Sequence, residues 1–152
     1  MKKVFLSLLV ATALMASNLS SIEKIDNKEV NALFDMAKSG DIDSQTLLGE
    51  IYLDGIGVDI DLDKAFFWLS KASNQDSPQA QYLLGFMYEN GIKVDKNLER
   101  AAKLYTKASI GGDLMAKYHL AFMYKDGKGV KMDKSKAIAL LKEIKAIKDS
   151  DS

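Results

Sequence analysis

Cysteine is absent from all 152 residues. That excludes disulfides and every thiolate metal site. Proline occurs once, at Pro78, so little interrupts helices and a mostly helical chain is expected. Histidine also occurs once, at His119. Without cysteine or a second histidine the common zinc sites lack their ligands, and no metal or cofactor is expected. Net charge is missing too: 21 basic residues balance 21 acidic ones. Nucleic acid or an anionic membrane as main partner would demand a basic excess, so neither is expected. No apolar run approaches the ~20 residues that a membrane-spanning helix needs. What remains is ordinary, with 47% hydrophobic and 28% charged residues. This argues against global disorder and leaves room for one compact unit.

The chain opens with Lys2 and Lys3, an apolar run from Val4 to Met15 broken only by Ser7 and Thr12, and small residues at Ala13, Ala16 and Ser17. A positive start, a short apolar core and a small-residue end describe a secretory signal peptide, placed at 1–20. The alternatives are an uncleaved anchor or a buried first helix. No cysteine follows the run, which excludes a lipid-anchored lipoprotein. Without Lys2 and Lys3, 19 basic residues face 21 acidic ones, a weak field. Export without disulfides points to a bacterial periplasm or to secretion, with no stable membrane insertion after cleavage.

The rest of the chain repeats itself. Leu48-Gly49-Glu50-Ile51-Tyr52-Leu53-Asp54-Gly55 returns as Leu84 to Gly91 and again as Leu120 to Gly127, each time 36 residues on. A fixed period of this length is the mark of a solenoid of stacked helical hairpins. The repeats fall at 41–76, 77–112 and 113–148. Asp41, Ser77 and Asp113 share a column, and each can cap a helix with its side-chain oxygen. Pro78 fits the first helical position, where its missing N–H costs nothing. The first helices are expected near 42–53, 78–89 and 114–125, ending at the turn glycines Gly55, Gly91 and Gly127. Asp61, Asn97 and Asp133 open second helices near 62–73, 98–109 and 134–145.

Between the caps lie packing columns. Gly49, Gly85 and Ala121 are small at mid-helix. Glycine there costs roughly 1 kcal/mol of propensity against alanine, so close helix approach must offset it. Ala65, Ala101 and Ala137 form the small column of the second helix. Leu48, Leu84 and Leu120 share a face with Tyr52, Tyr88 and Tyr124. Val58, Val94 and Val130 recur in the loop as plugs, and Trp68, Leu104 and Leu140 fill the second-helix side. Ahead of the array, 26–40 reads as an N-terminal capping helix, a half-repeat in which Leu33 matches Leu69 and Tyr105. At the far end Lys134, Lys136, Lys142, Lys145 and Lys148 stud the last helix. A terminal repeat needs a polar outer face, so these lysines read as a solvated cap rather than a docking patch. Residues 149–152 are expected to form a frayed, disordered tail.

These residues carry a resemblance. Leu48-Gly49, Tyr52, Gly55-Ile56-Gly57-Val58, Asp61, Lys64-Ala65, Trp68 and Lys71-Ala72 are similar to the Sel-one-like repeat, a relative of the tetratricopeptide repeat with a longer loop. The second copy follows with Gly85, Tyr88, Gly91, Val94 and Ala101. The third has Tyr124, Gly127-Lys128-Gly129-Val130 and Ala137. Lys93 replaces the second loop glycine, Ala121 the helix glycine, and Ile144 the closing alanine. The resemblance implies an all-α, right-handed α/α superhelix that serves as an interaction scaffold. It further implies envelope or host-contact roles for short exported members, immunity functions for some, and a β-lactamase-like label for a cysteine-rich branch. This chain lacks that branch's cysteines.

Chemistry is sparse. His119 stands in the column of Leu47 and Leu83, as a ligand or general base on one reading and as a half-buried replacement for an apolar neighbour on the other. The second is favoured. No nucleophile elbow is present, and no serine–lysine pair comes with the companion motifs of serine β-lactamases. Gly55-Ile56-Gly57 and Gly127-Lys128-Gly129 lack the further glycine and the preceding strand of a phosphate loop. Asp59-Ile60-Asp61-Leu62-Asp63 starts like a calcium loop, but Lys64 and Ser70 occupy the positions that need glycine and glutamate. Capping by Asp61 accounts for it better.

A surface is the remaining candidate. Tyr82, Leu83 and Phe86, with Tyr118, His119 and Phe122 one repeat on, lie off the leucine–tyrosine face. They are expected on the concave side as an aromatic groove for a protein or peptide partner. Packing of Tyr82 and Tyr118 against the preceding second helix is the competing expectation. The first repeat offers Thr46, Leu47 and Glu50 there, so the groove would favour the C-terminal half. A non-enzymatic exported scaffold is the leading function. A β-lactamase-like hydrolase and an immunity protein are the alternatives.

Overall fold

The structure, a computed structural model, describes residues 27–150. The expected signal peptide and the last two residues lie outside that range. Among the described residues there are seven helices and no strand. They fall into two packing units that divide after Lys71.

The first unit contains α1 (Asn27–Lys38), α2 (Ile42–Asp54) and most of α3 (Leu62–Ser73). Asp41 caps α2, accepting from the Ser44 N–H at 2.8 Å. Asp61 accepts from the Lys64 N–H at 3.0 Å and pairs with the Lys64 ammonium at 2.9 Å. Its carboxylate is thus spent on the α3 cap, as the sequence suggests, and both contacts hold its pKa below the usual carboxylate value. The core joins Val30, Leu33 and Ala37 of α1, Leu48 and Ile51 of α2, and Trp68 of α3. Phe34 meets Trp68 edge-on at 5.6 Å. A methyl placed on Gly49 would run into the Leu69 side chain, so the glycine is needed for space. Two polar groups lie in this interior. The Gln45 amide donates to the Ala37 carbonyl at 3.0 Å, tying α2 to the end of α1. The Ser44 hydroxyl is buried and has no hydrogen-bond partner among the described residues.

The second unit contains α4 (Pro78–Asn90), α5 (Leu98–Ile110), α6 (Leu114–Asp126) and α7 (Lys134–Ser150). Each helix packs on the next. The expected caps are present: Ser77, Asn97, Asp113 and Asp133 accept from the N–H three residues on at 2.7–3.3 Å. Ala80, Leu84, Met87, Tyr88, Ala101, Tyr105, Ala108, Leu120, Ala121 and Ile144 are buried. A methyl on Gly85 would lie 2.7 Å from the Tyr105 ring, the counterpart of Gly49 against Leu69. The repeat tyrosines share a cationic partner from the second helix. Lys64 lies over Tyr52 at 4.9 Å, Arg100 over Tyr88 at 4.5 Å, and Lys136 over Tyr124 at 4.8 Å, attracted by the ring quadrupole.

The loop after each first helix places two residues in the left-handed region, the capping glycine (Gly55, Gly91 or Gly127) and the residue two further on. Gly57 and Gly129 adopt φ of 68° and 69°, and Lys93 takes φ 65° in the same column. The backbone path is therefore kept where glycine is missing, and strain is the consequence, because a Cβ disfavours this region. Asp76 does the same at φ 62°, where its counterparts are Gly40 and Gly112.

Two expectations at the C-terminal end are corrected. Helix α7 does not stop near Lys145 but continues to Ser150, so Asp149 and Ser150 are helical rather than part of a disordered tail. Its turns after Lys145 gain no packing, but nothing in Ile144 to Ser150, free of glycine and proline, breaks the helix. Nor is its surface uniformly polar: Ile138 is 54% exposed.

Candidate functional site

The side chains that distinguish one repeat from another converge in the second unit. Glu89 stands in a column with Leu53 and Lys125, Tyr105 in one with Leu69 and Leu141, and His119 in one with Leu47 and Leu83. Each departs from an apolar or differently charged counterpart. The fold brings the three together. The Tyr105 hydroxyl donates to Glu89 Oε2 at 2.6 Å. His119 Nδ1 lies 3.0 Å from the same oxygen. A carboxylate oxygen only accepts, so Nδ1 carries the proton in this arrangement. Tyr105 reaches Glu89 because its ring lies across Gly85, where a larger residue would block it.

Rings enclose this polar centre. His119 stacks at a tilt on Tyr105 at 5.0 Å and meets Tyr82 and Phe86 edge-on at 5.6 and 6.4 Å. Tyr82 and Tyr105 are 5.9 Å apart. Burial, then the Glu89 hydrogen bond and the nearby negative charge, push the Tyr105 hydroxyl well above the ordinary phenol range. Burial likewise raises Tyr82, helped by Asp113 and Glu89. Tyr105 thus stays a donor throughout the physiological range. Glu89 and His119 are 26% and 28% exposed at their side chains, so the pair is reachable from solvent.

Next to it lies an open groove of about 300 Å³, lined by Glu89, Met115, Tyr118, His119, Phe122, Met123, Asp126 and Lys128. Tyr118 and Phe122 form its aromatic wall, their rings 5.7 Å apart and tilted 31°. They are 40% and 45% exposed. Lys125 rests over Phe122 at 5.5 Å, and Lys128 pairs with Asp126 at 3.5 Å on the rim. No serine, threonine or cysteine is among the lining residues.

The six residues singled out from the sequence are therefore divided. Tyr118, His119 and Phe122 line the groove. Tyr82 and Phe86 are half-buried behind it, against His119. Leu83 is half-buried outside both groups. His119 is half-buried as expected, but it has an acidic partner rather than only apolar neighbours. Tyr82 packs on the second helix that follows it as well as on His119. Glu89 and Tyr105 were missed. Their signal was present as departures from their columns, visible only once the repeats are aligned and the odd residues noted.

Comparison with known proteins fits this geometry. The Sel1 repeat profile matches residues 42–77, 78–113 and 114–144. A Sel1 repeat protein from Oxalobacter formigenes is 33% identical with a TM-score of 0.72, over 78% of this chain and 90% of that one. A protective antigen with an SLR fold, present in uropathogenic Escherichia coli strains, is 32% identical with a TM-score of 0.75 over 80% of this chain. This chain spans only 26% of it. Helicobacter pylori cysteine rich protein B is 27% identical with a TM-score of 0.60, over 76% of this chain and 87% of that one. No curated protein matches significantly.

Proposed function

Since the chain belongs to the Sel1 repeat family, we propose that it is an exported, non-enzymatic scaffold that holds a protein or peptide partner against its first helices, on the concave side expected of such arrays. The coarse class is that of the family: Sel1 repeat proteins are generally protein–protein interaction scaffolds, built from an all-α repeat fold. The finer reading rests above all on one observation, the exposed Tyr118–Phe122 wall beside the Glu89–His119 pair. Aromatic side chains in a concave, largely apolar setting are common anchors of binding energy. A carboxylate–imidazole pair at the edge adds directional polar contacts.

A scaffold needs no reacting group, and the groove supplies neither a hydroxyl of serine or threonine nor a thiol. His119 spends Nδ1 on Glu89. The export reading is supported by Lys2, Lys3 and the apolar run from Val4 to Met15.

Affinity capture from an envelope extract should retain a partner. Replacing Tyr118→Ala together with Phe122→Ala should cut its recovery at least tenfold while helicity by circular dichroism is unchanged. Undiminished recovery would overturn the groove assignment. N-terminal sequencing of exported protein should begin after the first ~20 residues, and an intact Met1 in the soluble fraction would refute export.

A further inference from the structure

Within the second unit the fold shows what covers the outer face of a second helix. Helix α6 packs on α5, with His119 set against Tyr105. Ala102, one turn before Tyr105 on the same face, is 3% exposed, and Tyr105 is fully buried. Moving on by one repeat gives the matching face of α7. Ile138 takes the place of Ala102, and Leu141 that of Tyr105. Among the described residues no helix lies there. Ile138 is 54% exposed and Leu141 only half-buried. A residue small and covered on α5 is large, apolar and open on α7.

Charge frames this face. Lys134, Ile138, Leu141, Lys145 and Lys148 recur at spacings of four, three, four and three, which sets them along one side of the helix. All three lysines are exposed. Helix α7 as a whole carries five lysines against two acidic residues. The lysines do not simply solvate a cap, because they flank an apolar centre.

We propose that this face of α7 binds an amphipathic helix of a partner protein, with an apolar stripe for Ile138 and Leu141 and acidic residues for the lysines. A helix is the occupant because a helix, α6, occupies the same face of α5. Acidic flanks follow from Lys134, Lys145 and Lys148. A second copy seated face to face would oppose two such lysine rows, and that repulsion argues against it. One repeat on, such a helix would also come near Tyr118 and Phe122, as His119 of α6 meets Tyr82 and Phe86. Ile138 and the lysines of α7, which are not part of the groove lining, set this site apart.

The test uses a labelled peptide of Leu114–Asp126, the helix that covers the equivalent face, cross-linked to hold it helical and carrying Lys117→Glu and Lys125→Glu. Its anisotropy should rise saturably on titration with the purified chain. Ile138→Glu, at an exposed position, should weaken binding at least tenfold. Lys145→Glu with Lys148→Glu should weaken it at least threefold and flatten its salt dependence. The peptide with its original lysines should bind more weakly. No saturable binding, equal binding of the two peptides, or indifference to Ile138→Glu would overturn the proposal. So would sedimentation showing a dimer that Ile138→Glu dissolves. The groove reading is judged separately, by Tyr118→Ala with Phe122→Ala in the capture experiment, since Ile138 and the lysines of α7 are not among the residues that line the groove.

Discussion

The middle and last repeats follow one backbone plan and differ in what lies between their helices. In the middle repeat Gly85 makes room for Tyr105, and the tyrosine crosses the gap to Glu89. In the last repeat the counterparts are Ala121, Leu141 and Lys125, an alanine and a leucine in place of glycine and tyrosine, with the lysine resting over Phe122. One repeat is closed by a polar latch across its glycine, and the other by small apolar contacts there and an ion pair elsewhere, Lys117 to Glu143 at 2.9 Å. Repeat arrays tolerate such exchanges because each unit needs only to fit its neighbours. The latch also positions His119, which comes from the next helix, so the odd repeat is where a recognition surface can be built.

The largest test of this contrast is at the small positions. Gly85→Val should cost about 3 kcal/mol, because a side chain there collides with a buried ring that has nowhere to go. Ala121→Gly should cost only about 1 kcal/mol of helix propensity. Urea unfolding of both variants measures the difference, and equal losses would mean that Tyr105 is not wedged. Next is the latch itself. Glu89→Ala strands the Tyr105 hydroxyl and the His119 ring nitrogen and should cost about 2 kcal/mol, whereas Lys125→Ala in the same column should stay within about 0.5 kcal/mol. A smaller effect, of opposite sign, is expected in the first repeat. Ser44 buries an unpaired hydroxyl where the other repeats have Ala80 and Ala116. Ser44→Ala should therefore stabilise by about 1 kcal/mol in the same assay. Least of all, Lys93→Gly should raise stability by about 0.5 kcal/mol, the relief of left-handed strain being partly offset by the freer unfolded chain.

The repeat period, both cap columns and the glycine turns were legible in the sequence because each is a local rule written three times. Asp41, Ser77 and Asp113 could be read as caps before any helix was seen. The end of α7 was not, because no glycine or proline marks it and no fourth copy supplies a comparison. The groove was half legible. Tyr118 and Phe122 stood out as aromatics off the packing face. Glu89 and Tyr105 did not, since averaging the repeats hides the positions at which one repeat departs from the others. Ile138 was hidden for a related reason: exposure at the end of a stack depends on a missing neighbour, and no residue's own identity reports that.

The interlock of Gly85 with Tyr105 also restricts the order in which this repeat can change over generations. A methyl at position 85 is barred while the ring is there, so the tyrosine must be pared back first. That first step releases Glu89 and His119 and forfeits the latch before any gain in helix propensity arrives. A lineage that uses the latch is held on its side of a valley, while one that has lost it can move freely toward the alanine–leucine form already present at Ala121 and Leu141. The glycine here is thus tied to the latch, whereas Gly49 is held in place by Leu69 without one.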